Sequence, residues 1–275
     1  MYFKSNFFET VPGVNIHYID EGQGTPLVFV PGWTFSVEVF EHQIPYFAKN
    51  YRVIAIDPRA HGKSTVTAVG IDYPTQTQDM AKLIRHLGLD NVILVGWGFG
   101  AYETWGLIRE LGIEHIKGIF NMDASPKSMS RDDNDWVEDS MENLCATIQT
   151  IRTPSGFREL LSDYTKAVMV QRELTDEELE WILSCSRMPN YLAMAEYAYA
   201  ITDDYRAEAQ LADACPTCYT EMLVAEHWAD VAVPYMAKLC PNTKVHVLGG
   251  HLAFWEHHEL FNTILETFVR KAAAM

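Results

Sequence analysis

Nowhere in the 275 residues do about 18 apolar residues run unbroken, so the sequence offers no membrane-spanning helix. Basic residues are scarce: 21 Lys and Arg stand against 37 Asp and Glu, for a formal net charge of −16. Such a surface repels phosphate backbones, and nucleic acid is not an expected partner. The opening residues, Met1-Tyr2-Phe3-Lys4-Ser5-Asn6, lack the apolar run behind a basic start that marks a secretory signal. Cysteine is sparse as well. Cys145, Cys185, Cys215, Cys218 and Cys240 form an odd, scattered set that suits a reducing compartment, so a cytoplasmic location is expected. Cys215-Pro-Thr-Cys218 has C-x-x-C spacing. Redox or zinc chemistry there would need a helix start after a strand, or a second ligand pair, and neither stands beside it. Internal repeats and low-complexity tracts are absent.

What is present is ordinary globular material. Hydrophobic residues make up 48% and charged residues 21%, enough to bury a sizeable core. A neutral or weakly polar small molecule suits this acidic surface, and a homodimer is left open. Val14–Asp20 alternates like a half-buried strand. Pro26–Pro31, Arg52–Asp57, Asn91–Gly96 and Ile116–Asp123 are short continuous apolar runs, the pattern of central parallel strands covered on both faces. Helical periodicity fills Glu38–Lys49, Pro74–Leu87 and Ala101–Leu111 between them. The alternation predicts an α/β fold, a mostly parallel central sheet covered by helices.

After Asp123 the rhythm breaks. From Ser128 to about Asp213 the sequence is helical in period and acidic, with no strand of the buried type. Tyr219–Ala225, Val233–Leu239, Lys244–Leu248 and Glu256–Lys271 then resume the strand–helix alternation. The expected organisation is an α/β core over 1–124 and 215–275, interrupted by a helical cap or lid over 125–214. An insertion at that point lies over the C-terminal ends of the strands, where open α/β sheets bind ligands. Trp136, Met141, Met169, Trp181, Met188, Tyr191, Met194 and Tyr197 are spread through it, as packing against the core or as walls of an apolar pocket. The run Arg131-Asp132-Asp133-Asn134-Asp135 reads as a solvated helix start, without the converging ligands that a metal would need.

Val92-Ile93-Leu94-Val95-Gly96-Trp97-Gly98-Phe99-Gly100-Ala101 is the most informative stretch. An apolar strand enters a small-x-X-x-small turn and leaves as a helix. That is the frame of the G-x-S-x-G nucleophile elbow, which thrusts its middle residue above the sheet at a helix N-terminus. The sequence resembles the α/β-hydrolase superfamily, in particular esterases, lactonases and cofactor-free haloperoxidases, over nearly its whole length apart from the insertion. Members carry Ser, Asp or Cys at the elbow centre; here that position is Gly98, which supplies no attacking atom.

The resemblance assigns further residues. Val28-Phe29-Val30-Pro31-Gly32-Trp33 is similar to the oxyanion-hole loop, so the Trp33 and Phe99 N–H groups are the implied oxyanion donors. Ile56-Asp57-Pro58-Arg59-Ala60-His61-Gly62-Lys63-Ser64 is similar to the family's D-x-R-G-x-G-x-S segment, with Ala60 in place of its first glycine. It implies a scaffold role there, His61 included. In Leu248-Gly249-Gly250-His251, His251 stands after the last strand, where the family places its general base. His257 and His258 follow on the last helix as solvated residues. For the acid, Asp123 after the Ile116–Met122 strand is the first choice and Asp230 the second, since Trp228 occupies the usual acid position.

The implied activity is hydrolysis of a carboxylic ester or lactone with a hydrophobic substrate, inactivated by a serine-to-glycine change at position 98. Asp123 would orient His251, and no cofactor or metal is called for. Two alternatives remain: a cofactor-independent dioxygenase of a quinolone-type ring, working through the His251–Asp123 dyad, and a non-catalytic small-molecule receptor.

Overall fold

The computed structural model describes residues 3–130, 135–137 and 140–275. Residues 131–134 of the acidic run lie outside them; Asp135 accepts hydrogen bonds from Lys127 Nζ (3.1 Å) and Ser130 Oγ (2.6 Å).

The strands are β1 (Asn6–Val11), β2 (Val14–Glu21), β3 (Pro26–Val30), β4 (Arg52–Ile56), β5 (Val92–Trp97), β6 (Ile116–Met122), β7 (Tyr219–Val224) and β8 (Lys244–Val247). They form one sheet in the order β1-β2-β4-β3-β5-β6-β7-β8. The first two strands make a hairpin whose second strand pairs antiparallel with β4, and every later pairing is parallel. The helices are α1 (Ile44–Phe47), α2 (Tyr73–His86), α3 (Gly100–Leu111), α4 (Met141–Ile151), α5 (Pro154–Tyr164), α6 (Asp176–Cys185), α7 (Asn190–Tyr199), α8 (Arg206–Ala214), α9 (Ala229–Leu239), α10 (Ala253–Glu256) and α11 (His258–Ala273).

Strand periodicity sorts the apolar side chains into two layers. Leu27, Phe29, Ile93, Val95 and Phe120 face one way and pack with Phe261, Leu265 and Phe268 of α11. Val28, Val30, Ile54, Val92 and Leu94 face the other way, against Met80, Leu83 and Ile84 of α2 and Leu107 and Ile108 of α3. Both faces of β3 and β5 are therefore buried, which is why those strands read as unbroken apolar runs.

The helix expected over Glu38–Lys49 is broken. A 3₁₀ turn over Val37–Phe40 is followed by the single turn of α1, which restarts with Pro45 in its first turn. Proline has no N–H to continue a helix but fits a first turn, so it divides the segment. The last helix is likewise displaced: α10 ends at Glu256 and α11 begins at His258, two residues beyond the expected start.

Between β6 and β7 the described chain is helical. Thr175 caps α6 through a reciprocal capping box with Glu178, and Thr153 caps α5 on Gly156 N–H. Helices α4, α5 and α7 form a roof, with α6 packed against α5. The last helix of the interval, α8, instead packs Ala209 and Ala212 into the layer that holds Trp105 and Met222.

Candidate active site

The strand–turn–helix at Gly98 behaves as the elbow geometry demands. Gly98 has φ +52°, and its N–H donates to Met122 O at 2.9 Å, tying the turn to the neighbouring strand end. This left-handed conformation strains an L-residue, and glycine adopts it freely. A Cβ at this position would lie 3.2 Å from His251 Nε2, 3.5 Å from its Cε1 and 3.7 Å from Gly32 Cα.

His251 is held at its ring by one hydrogen bond and along the main chain of its loop by three more. His251 Nδ1 donates to Asp123 Oδ2 at 2.6 Å. Its backbone N–H donates to Val168 O at 3.0 Å, and the next residue, Leu252, donates to Met169 O at 2.8 Å. The Trp97 indole N–H donates to His251 O at 2.8 Å, with the indole ring 5.2 Å from the imidazole. The loop reaches this place because Gly250 has no side chain: a Cβ there would collide with the carbonyls of Met169 (2.5 Å) and Val168 (2.6 Å).

Asp123 follows β6 directly and is itself left-handed, with φ +49°. Its N–H donates to Leu223 O at 2.7 Å, and its Oδ1 accepts Ala225 N–H at 2.8 Å. The buried carboxylate is thus compensated by one amide and one imidazole. With the carboxylate on Nδ1, the acceptor nitrogen of a neutral His251 is Nε2, the atom facing Gly98. Asp230 is exposed in the first turn of α9.

Gly98, Trp33, Phe99 and His251 share one cavity of about 520 Å³. Its walls include Phe35 and Trp97 from the core and Leu161, Tyr164, Met169 and Tyr197 from the insertion. The Trp33 and Phe99 amides have no protein acceptor among the described residues. The Trp33 indole is turned to the roof, where it donates to Ala193 O at 3.1 Å and lies 4.8 Å from the Tyr197 ring. Of the insertion residues singled out in the sequence, Met169 and Tyr197 line the cavity, Trp136 and Met188 are buried, Met141 and Tyr191 are exposed, and Trp181 stacks on Trp255.

His227 also lines the cavity. Burial lowers its pKa; the Asp123 charge raises it and His251 lowers it further. Nothing in the sequence flagged this residue, because Glu226-His227-Trp228 matches no motif. His61 is buried with both ring nitrogens engaged by backbone: Nε2 accepts Thr34 N–H at 3.1 Å, and Nδ1 lies 3.1 Å from Arg59 O. All five cysteines are free, and burial pushes the Cys218 thiol up to about 12, away from thiolate chemistry.

A buried polar group outside the cavity lining joins α7 to α2. Glu196 of α7 is buried and accepts from Gln76 Nε2 at 2.6 Å. Burial raises its pKa and that of the equally buried Glu103. Asp203 is pushed up to about 7, by burial first and by Asp72 second.

Comparison with known proteins agrees with this architecture. Residues 25–152 match the family model described as alpha/beta hydrolase fold. The chain is 33% identical over 141 residues to a non-heme chloroperoxidase of Kitasatospora aureofaciens, covering 49% of this chain and 51% of that protein. It is 24% identical to a pimeloyl-[acyl-carrier protein] methyl ester esterase of Legionella pneumophila, over 94% of this chain and all of the relative. Among solved structures, a bromoperoxidase from Bacillus anthracis superimposes with a TM-score of 0.85 at 23% identity, over 97% of this chain and 100% of that one. Sequence and fold together show the α/β-hydrolase fold in this chain, with the family's sequence pattern carried by residues 25–152.

Proposed function

We propose that the cavity is a site for hydrolysis of a carboxylic ester or lactone from which the attacking oxygen is missing. One observation carries the reading: a side chain at position 98 would project to within 3.2 Å of His251 Nε2. A serine hydroxyl there would have an imidazole base within reach, beside the uncommitted amides of Trp33 and Phe99. Serine would attack the acyl carbon as His251 takes its proton, Asp123 would orient and stabilise the imidazolium, and the carbon–oxygen bond to the alcohol would break with that proton passing to the departing oxygen. The two amides would hold the oxyanion. Water, activated by the same imidazole, would release the acid. Gly98 supplies no attacking oxygen, and this chain is read as the serine-to-glycine form of such an enzyme. The apolar walls favour a hydrophobic acyl or aromatic substrate, and the esterase named among the relatives supports an ester. Gly98→Ser, assayed on short-chain aryl esters and lactones, is expected to gain hydrolysis by about 10³-fold or more over the glycine form; no gain would overturn the proposal.

The intact His251–Asp123 pair beside a vacant residue 98 favours one alternative, a cofactor-independent dioxygenase that uses the pair as a base on a quinolone-type ring. Oxygen uptake with a 3-hydroxy-4-quinolone supports that alternative, and its absence removes it. Tight ligand binding without turnover, even in Gly98→Ser, would instead mark a small-molecule receptor.

A further inference from the structure

The described residues hold a serine–histidine–aspartate line two to three strands from β5 in the sheet order. His17 lies on β2 and Asp57 directly after β4; the antiparallel register that pairs Tyr18 with Ile56 sets the two side by side. His17 Nδ1 is 2.7 Å from Asp57 Oδ2, and His17 Nε2 is 3.0 Å from the hydroxyl of Ser5, one residue before β1. Both His17 and Asp57 are 1% exposed, whereas Ser5 is exposed.

The surroundings fix the proton positions. Asp57 Oδ1 accepts Val37 N–H at 2.8 Å, and Oδ2 accepts Lys63 N–H at 3.0 Å. A carboxylate held by two amides is an acceptor, so in the neutral imidazole the proton belongs on Nδ1 and Nε2 is the acceptor facing Ser5. The His17 backbone N–H is pinned by Ser64 Oγ at 2.8 Å, and Ser64 in turn donates to Asp57 O at 2.7 Å. The Lys63 ammonium lies 3.5 Å from Ser5 Oγ and 3.6 Å from Glu38 Oε1, so it sits at the mouth of the line with a carboxylate beside it. These groups line a cavity of about 260 Å³ that shares no lining residue with the Gly98 site. Phe3, Ile19 and Trp181 give it apolar walls.

We propose that Ser5, His17 and Asp57 form a second acyl-transfer site, for small activated esters. Ser5 Oγ bonds to the acyl carbon as its proton passes to His17 Nε2. The carbon–oxygen bond to the alcohol breaks, and the alcohol leaves with that proton. Water follows the same route, releasing the acid and restoring Ser5. The inference is independent of the reading of the Gly98 site.

A biotinylated fluorophosphonate tests it directly, because the elbow of this chain has no serine to compete for the probe. The intact protein carrying His251→Ala is expected to take one phosphonyl group, located at Ser5 by peptide fragmentation. Ser5→Ala is expected to abolish the label. His17→Gln is expected to slow labelling about 100-fold or more, the scale of a lost general base. Lys63→Met changes a partly exposed side chain and keeps the fold, so it serves if His17→Gln does not fold; labelling is expected to slow about 10-fold. No adduct at Ser5, or an adduct formed at an unchanged rate in Lys63→Met and in any folded His17→Gln protein, overturns the proposal.

Discussion

The His251 imidazole and the Asp123 carboxylate meet through a 2.6 Å hydrogen bond across 128 residues of sequence. Asp123 reaches it from a left-handed turn after β6, in a conformation that asparagine also tolerates. Asp123→Asn should therefore fold with a melting temperature close to that of the parent. In the Gly98→Ser background its carboxamide should favour the wrong imidazole tautomer and lower kcat on aryl esters by about 10⁴-fold. A steady-state comparison of the two serine-bearing proteins measures this directly.

Gly98→Ala separates backbone strain from chemistry. Alanine adds a Cβ at φ +52° and 3.2 Å from His251 Nε2, without an oxygen. The expected cost is about 1–3 kcal/mol of stability, read as a lower midpoint in urea unfolding, with no gain in ester hydrolysis. Serine at the same position should show a similar destabilisation and differ only in activity.

Trp97 anchors the base rather than touching the substrate's reacting atoms: its indole N–H holds His251 O, and its ring packs edge-on against Phe35 and Phe254. Trp97→Phe keeps an aromatic ring and loses the donor. In the Gly98→Ser protein kcat should fall about 10-fold while KM changes little, the pattern of a displaced base.

Asp203 gives a pH signature. Its carboxyl is pushed from the ordinary value of 3.8 up to about 7, chiefly by burial. The unfolded chain therefore releases this proton first as pH rises. The stabilisation that comes from keeping the group neutral is complete below about pH 4 and is lost as pH rises towards 7. Asp203→Asn should match the parent near pH 4 and exceed it by about 2–4 kcal/mol at pH 8. Thermal melts at the two pH values distinguish this from a pH-independent packing effect.

The strands and the elbow were legible in sequence because each is local. β3, β4, β5 and β6 are continuous apolar runs, and the turn at Gly98 sits inside a ten-residue frame. His251 was legible from the glycines before it, although the reason for Gly250 appears only in space, under the Val168 and Met169 carbonyls. The break between Phe40 and α1 lies in Pro45, a local signal that apolar periodicity does not carry. His227 was not legible, since it reaches the cavity by tertiary placement alone. Ser5, His17 and Asp57 lie 12 and 40 residues apart, and only the β2–β4 register makes them neighbours.

The loop that bears His251 is stitched to the insertion by two main-chain bonds, His251 N–H to Val168 O and Leu252 N–H to Met169 O. The roof and the imidazole are consequently one mechanical unit. The position of the ring beside residue 98 is thereby tied to the main chain at Val168 and Met169, so the wall of the cavity and its base share one anchorage.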